Sequence, residues 1–91
     1  MTETVRDNPA KSRFELDTEG HTAVALYRRA GNLVSIYHTE VAPEVSGRGI
    51  GSRLVRGALE LARHEGLKVE PRCSFVRSFI ARHPEFSDVV T

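Results

Sequence analysis

The stretch "VAPEVSGRGIGSRLVRGAL" (Val41 to Leu59) decides how this chain is read. Gly47, Gly49 and Gly51 alternate at its centre. From there Ile50, Leu54, Ala58, Leu61 and Ala62 recur at helical spacing, with Val55 and Leu59 widening the stripe. Arg53, Arg56, Glu60 and Arg63 fall mainly outside it, and Gly66 supplies a natural C-terminal stop. A glycine-rich loop therefore opens an amphipathic helix. The first turn of a helix leaves about four N–H groups without partners and adds about half a positive charge. Glycines let a phosphate reach those amides and permit positive φ. Arg48 and Arg53 add charge, so "SGRGIGS" is a credible pyrophosphate cradle. The P-loop pattern is absent, because no lysine follows Gly51. The dinucleotide pattern also fails, because Ser52 stands where its third glycine belongs. On the glycines alone, a tight turn feeding a packed helix is an equally good reading.

Before the loop the period is two. "RFEL" (Arg13 to Leu16) alternates, "DTEG" (Asp17 to Gly20) is turn chemistry, and "HTAVALYRR" puts Ala23, Ala25 and Tyr27 on one face. "AGN" reads as a second hairpin turn, and "LVSIYHTEV" (Leu33 to Val41) is rich in β-branched and aromatic residues. Three strands with short turns make an antiparallel meander. Residues 1–12 are polar, with Asn8-Pro9 among them, and read as a flexible lead-in to one domain over 13–91.

After the helix, "LKVEP" (Leu67 to Pro71) is a short strand ended by a proline. A strand–helix–strand crossover makes it parallel to its partner. Ser74 is placed to cap a short helix, with Phe75 and Phe79 at i, i+4 and Val76 and Ile80 alongside. His83-Pro84 ends it, and "EFSDVVT" reads as a tail. The fold class expected is α/β (α+β): meander, glycine-rich loop, helix, parallel fourth strand, short C-terminal helix.

Composition narrows the function classes. Ninety-one residues make one small domain, which buries only about 60–65% of its unfolded surface. Forty percent hydrophobic and 27% charged residues is ordinary for a soluble protein. A formal charge of +1 points away from a nucleic-acid partner. One cysteine, Cys73, gives neither a disulfide nor a zinc cluster and favours a cytoplasmic location. No stretch has the ~20 apolar residues of a membrane span. The first residues carry no apolar signal core. The four histidines have no metal-ligand spacing, so no metal is expected.

The loop resembles motif A of the GNAT acetyltransferase superfamily, [QR]-x-x-G-x-[GA] between a strand and a helix. In Ser46-Gly47-Arg48-Gly49-Ile50-Gly51 the G-x-G matches, and Ser46 stands where Gln or Arg is usual. Cys73-Ser74-Phe75 and His83-Pro84-Glu85-Phe86 resemble the end of the small single-domain members, and "HTEV" resembles their central strand. The likeness covers roughly residues 13–86. It implies acetyl-coenzyme A bound in a cleft where the strands on either side of the helix splay apart. Backbone groups of Thr39, Glu40 and Val41 would take the pantetheine arm. Ser46, Gly47, Arg48, Gly49, Ile50, Gly51 and Ser52 would take the pyrophosphate, with Arg53 close by.

Acetyl transfer to an amine requires that amine neutral. A lysine at pH 7 is neutral only about one part in 10³, so a base or relay is useful. His38 and Glu40 lie two apart in the central strand and are candidates, against a plain structural role for the histidine. Cys73 begins the last helix, where its pKa would fall; it reads as an acetyl acceptor or as a packed small side chain. The expected function is an acetyl-coenzyme A-dependent N-acetyltransferase acting on a small-molecule or protein amine, as a monomer or weak homodimer. The alternatives are a coenzyme A-binding regulatory protein with little catalysis, and an interaction module with no ligand.

Overall fold

Alternation decides which side of the sheet is covered. In the computed structural model, which describes residues 4–91, five strands lie side by side in sequence order. They are β1 (Arg6–Asn8), β2 (Arg13–Thr18), β3 (His21–Ala30), β4 (Leu33–Glu40) and β5 (Lys68–Pro71). The first four run antiparallel, and β5 pairs with β4 in parallel after the crossover through helix α1 (Ile50–His64). Helix α2 (Ser74–Arg82) follows. Phe14, Leu16, Ala23, Ala25, Tyr27, Val34, Ile36 and Val69 point to one face and form one core with Ile50, Leu54, Val55, Ala58, Leu59, Val76 and Phe79. Both helices therefore cover the same face. Register puts Ala25 opposite Phe14 and Ala23 opposite Leu16, so small residues alternate with large ones beneath the helices.

The other face is open. Glu15 is nonetheless buried there, held by Arg13 (2.5 Å), Arg6 (2.6 Å) and the Asn8 amide (3.1 Å). The Arg13 hydrogen bond leads, against the cost of burial, in holding this carboxyl below its usual range.

Three local expectations are corrected. The lead-in over 1–12 carries strand β1 and a 3₁₀ turn at Pro9–Lys11, while residues 1–3 lie outside the described region. The strand is only three residues long and polar, so it has no periodic signal. Its anchor is Val5, which occupies the space a Cβ on Gly57 would fill, 2.3 Å from Val5 Cγ2. The final segment is not a loose tail. Val89 O accepts from Val69 N at 2.8 Å, Thr91 N donates to Val69 O at 3.0 Å, and Arg63 holds Asp88 at 2.6 Å. The N-cap of α2 is Cys73 rather than Ser74. Cys73 N donates to Ile36 O at 3.1 Å, which keeps Cys73 extended as the last residue of the β4–β5 ladder. Its carbonyl then accepts the first helical bond, from Arg77 N at 3.0 Å.

Candidate functional site

Strand β4 carries an irregularity that builds the site. Leu26 pairs with His38 but Tyr27 pairs with Ile36, so Tyr37 is the extra residue of a β-bulge. The bulge shifts the phase of the strand. Before it Val34 and Ile36 face the helices; after it Thr39, opposite Ala25, does. His38 and Glu40 turn to the open face, where His38 Nε2 and Glu40 Oε2 lie 3.1 Å apart.

The bulge coincides with the parting of the strands. β4 and β5 pair only from Leu33 with Lys68 to Ile36 with Pro71. The last ladder bonds run from the Arg72 and Cys73 amides to Ile36 O, at 2.9 and 3.1 Å. Beyond Ile36, β4 continues to Glu40 with no strand beside it on that edge, among the described residues. The edge from Thr39 to Val41 is therefore presented to a gap.

The glycine loop closes one end of that gap. Val45 is buried beneath it and Ser46 Oγ donates to Pro43 O at 3.1 Å, which tie the loop to its 3₁₀ turn. Gly47 and Gly49 have φ of 82° and 72°, left-handed values that favour glycine. Gly49 is the N-cap of α1 and offers no side-chain cap. The first i→i−4 bond of the helix is Arg53 N to Gly49 O at 3.0 Å, so the amides of Ile50, Gly51 and Ser52 precede the ladder. Thr39, Val41, Ser46, Gly47, Gly49, Ile50, Gly51, Ser52 and Phe75 line a cleft of about 370 Å³. Phe75 is its exposed apolar wall. The ring fits there because Gly51 has no Cβ, which would stand 2.8 Å from Phe75 Cζ.

Beside the cleft, Cys73 Sγ and Thr39 Oγ1 share a hydrogen bond at 3.8 Å, either atom able to donate. Burial pushes the Cys73 thiol up. Hydrogen bonds from the backbone of Val76, the Thr39 hydroxyl and the backbone of Phe75 outweigh it, so the thiol lies below its ordinary value.

The structure thus brings Thr39, Val41, Ser46, Gly47, Gly49, Ile50, Gly51 and Ser52 together, with Cys73 beside Thr39. It separates others. His38 and Glu40 side chains are on the opposite face, exposed to solvent. Arg48 turns back to an ion pair with Glu19. Arg53 lines a separate groove with Val5, Leu16 and Gly57. His83 Nδ1 donates to Phe79 O at 2.8 Å and its ring stacks on Phe79, which makes it a helix-end residue. Two features escaped the sequence reading: Phe75 as a cleft wall, and the bulge. The bulge does leave a trace, since Val34 and Ile36 are even-numbered and Val41 is odd.

Comparison with known proteins gives one consistent result. Residues 13–89 match the GCN5-related N-acetyl-transferase family. Protein NATD1 of Homo sapiens is 35% identical over 63 residues, which is 68% of this chain and 56% of that protein; Protein NATD1 of Mus musculus gives 35% with 57% of its length. The match thus spans little more than half the length of these relatives. The NMR structure of a GCN5-like candidate N-acetyltransferase from Staphylococcus aureus superposes with a TM-score of 0.71 at 29% identity, covering 96% of this chain and 86% of that one. Among the described residues no helix is long and apolar enough to cross a membrane. The fold, the glycine loop and these likenesses agree, and the chain belongs to the GCN5-related N-acetyltransferase family.

Proposed function

We propose that this chain binds acetyl-coenzyme A in the cleft between β4 and β5 and transfers the acetyl group to an amine. The observation that carries the reading is the free β4 edge running into an uncapped helix N-terminus whose loop glycines sit at positive φ. Such a helix start suits a pyrophosphate. A Cβ at Gly47 or Gly49 would meet nothing within 4 Å, so a ligand has clear access to the neighbouring amides. The amides from Ser46 to Ser52 would hold the phosphates, and backbone groups of Thr39, Glu40 and Val41 the pantetheine arm. Arg48 would reach an exposed phosphate by leaving Glu19.

When bound, the thioester supplies an activated acetyl group. The chain's own part is positioning and proton handling. An amide of the bulged β4 edge is suited to a developing oxyanion. The amine must lose a proton, and the His38–Glu40 pair on the open face offers a relay to an acceptor arriving from that side. Cys73 has the lowered pKa of a nucleophile, but moving an acetyl group from one thioester to another gains little driving force. Direct transfer with Cys73 as a neighbour of the reacting centre is the simpler route.

The test begins with a thermal melt with and without acetyl-coenzyme A; ligand at 100 times Kd adds about 2.7 kcal/mol. Mass spectrometry over an amine panel then reports acetylated product. Neither a shift nor a product would remove the reading. A shift with no product on any amine would leave a coenzyme A-binding regulatory protein. Intact mass without acceptor separates the two routes: an acetyl adduct on Cys73 that an amine discharges would establish the covalent one, and full turnover in Cys73→Ala would exclude it.

A further inference from the structure

On the open face of the sheet, opposite the glycine-loop cleft, Arg28, Ser35, Tyr37 and Arg72 line a second concavity of about 430 Å³. Arg28 is exposed on β3 opposite Ser35, with its guanidinium 5.2 Å from the centre of the Tyr37 ring. Among the described residues it forms no ion pair. Arg72 follows β5, is 63% exposed, and reaches Glu70 Oε1 only at 3.4 Å. That oxygen is already engaged by Ser35 Oγ at 2.7 Å. Among the described residues Glu70 is thus the only carboxylate holding a residue of this concavity, and it leaves both guanidiniums with donors to spare. Tyr37 is the bulge residue itself, and at 42% it is one of the most exposed large apolar side chains of the fold.

Position gives these residues their meaning. Tyr37 lines the open-face concavity and Thr39 lines the cleft, two residues along one strand, or about 6–7 Å. The two recesses approach β4 from opposite faces where it parts from β5. We infer that this concavity anchors the acceptor, and that it selects small amines carrying a carboxylate or phosphate, whose anionic end is held by Arg28 and Arg72 while the amine enters the gap. Tyr37 supports both the ligand's carbon skeleton and the Arg28 guanidinium. Two arginines at an anion make charge-assisted hydrogen bonds, which are shorter and stronger than neutral ones. A neutral or purely cationic amine gains nothing from them.

The inference rests on the acetyl-transfer reading, and the experiment keeps the two apart. Matched pairs are compared with the full chain and acetyl-coenzyme A: lysine against cadaverine, and O-phosphoethanolamine against ethanolamine. Each pair differs by the anionic group, and the two pairs distinguish carboxylate from phosphate. The expected result is a kcat/KM at least about tenfold higher for the anionic member of one pair or both. That ratio falls toward one in Arg28→Gln/Arg72→Gln and survives in the charge control Arg82→Gln. Equal rates within both pairs, or a ratio the double variant retains, overturn the inference. If no amine is acetylated, the transfer reading fails and the concavity is judged by binding alone. An NMR titration with lysine and O-phosphoethanolamine should then shift the amides around Arg28, Tyr37 and Arg72, and the double variant should lose the shift. No shift at tens of millimolar overturns the anchor.

Discussion

Gly51→Ala should separate ligand binding from folding. Gly51 lies in the first turn of α1 at an ordinary helical φ, so alanine is compatible with its backbone. Alanine is about 1 kcal/mol better than glycine inside a helix, and less in the first turn. The added Cβ would stand 2.8, 3.2 and 3.4 Å from three atoms of the Phe75 ring. Phe75 is 38% exposed, so the ring should swing away and the fold should lose little. The cleft, however, loses its apolar wall beside the pyrophosphate loop. Stability should stay within about 1 kcal/mol of wild type, while acetyl-coenzyme A affinity falls about tenfold, or 1.4 kcal/mol. Gly49→Ala should show the reverse emphasis. Nothing lies within 4 Å of its Cβ, but φ is 72°, and a left-handed L-residue costs about 1–2 kcal/mol. Gly57→Ala drives a Cβ to 2.3 Å from Val5 and should lower stability without touching the cleft. The assay is a denaturant melt and isothermal calorimetry on each variant. Unchanged affinity in a folded Gly51→Ala would refute the assignment of this loop and Phe75 to the ligand.

Thr39→Val removes one of the hydrogen bonds that lower the Cys73 thiol, so the pH midpoint of its alkylation by iodoacetamide should move up; an unmoved midpoint would show that the helix amides alone set it. Glu19→Gln frees Arg48 and should tighten acetyl-coenzyme A binding at low salt by up to about fivefold, the worth of an exposed pair, with the gain vanishing near 0.5 M salt. Glu15, Asp17, Glu70 and Asp88 all have lowered native pKa values, through Arg13, Arg6, Ser35 and Arg63 respectively. Their contribution is complete above the ordinary carboxylate value and is lost as pH falls through the lowered ones, so Tm should drop progressively below about pH 4. Glu15→Gln should flatten that acid limb.

The elements that could be read in the sequence are those whose side chains repeat. Ile50, Leu54 and Ala58 declare α1, and Ala23, Ala25 and Tyr27 declare the covered face of β3, because burial on one side imposes a period. Strand β1 could not be read that way. Its residues are Arg6, Asp7 and Asn8, and what holds it is pairing to β2 plus one valine seated on a glycine 52 residues further along the chain, a contact no local pattern foretells: Gly57 matters only because Val5 folds onto it. The terminal segment is the same case, held by Arg63 on Asp88 and by two backbone bonds to Val69.

The site divides along the same line. The glycines at 47, 49 and 51 were legible because the loop needs positive φ at two of them and an absent Cβ at the third. The placement of His38 was not, because strand alternation assumes an unbroken period, and neither was the turn of Arg48 toward Glu19, 29 residues before it. A regular β4 would carry Ile36 and His38 on one face and put the imidazole in the cleft. The bulge at Tyr37 reverses that, sending Thr39 to the cleft and His38 with Glu40 to the open face. The same extra residue puts Tyr37 beside Arg28, and so couples the two recesses through one strand. Deleting Tyr37 would remove the bulge yet keep His38 opposite Leu26 and Thr39 opposite Ala25, so the cleft should keep Thr39 beside Cys73 while the open-face concavity loses its ring. A single bulge therefore decides which residues face the proposed donor and which face the proposed acceptor.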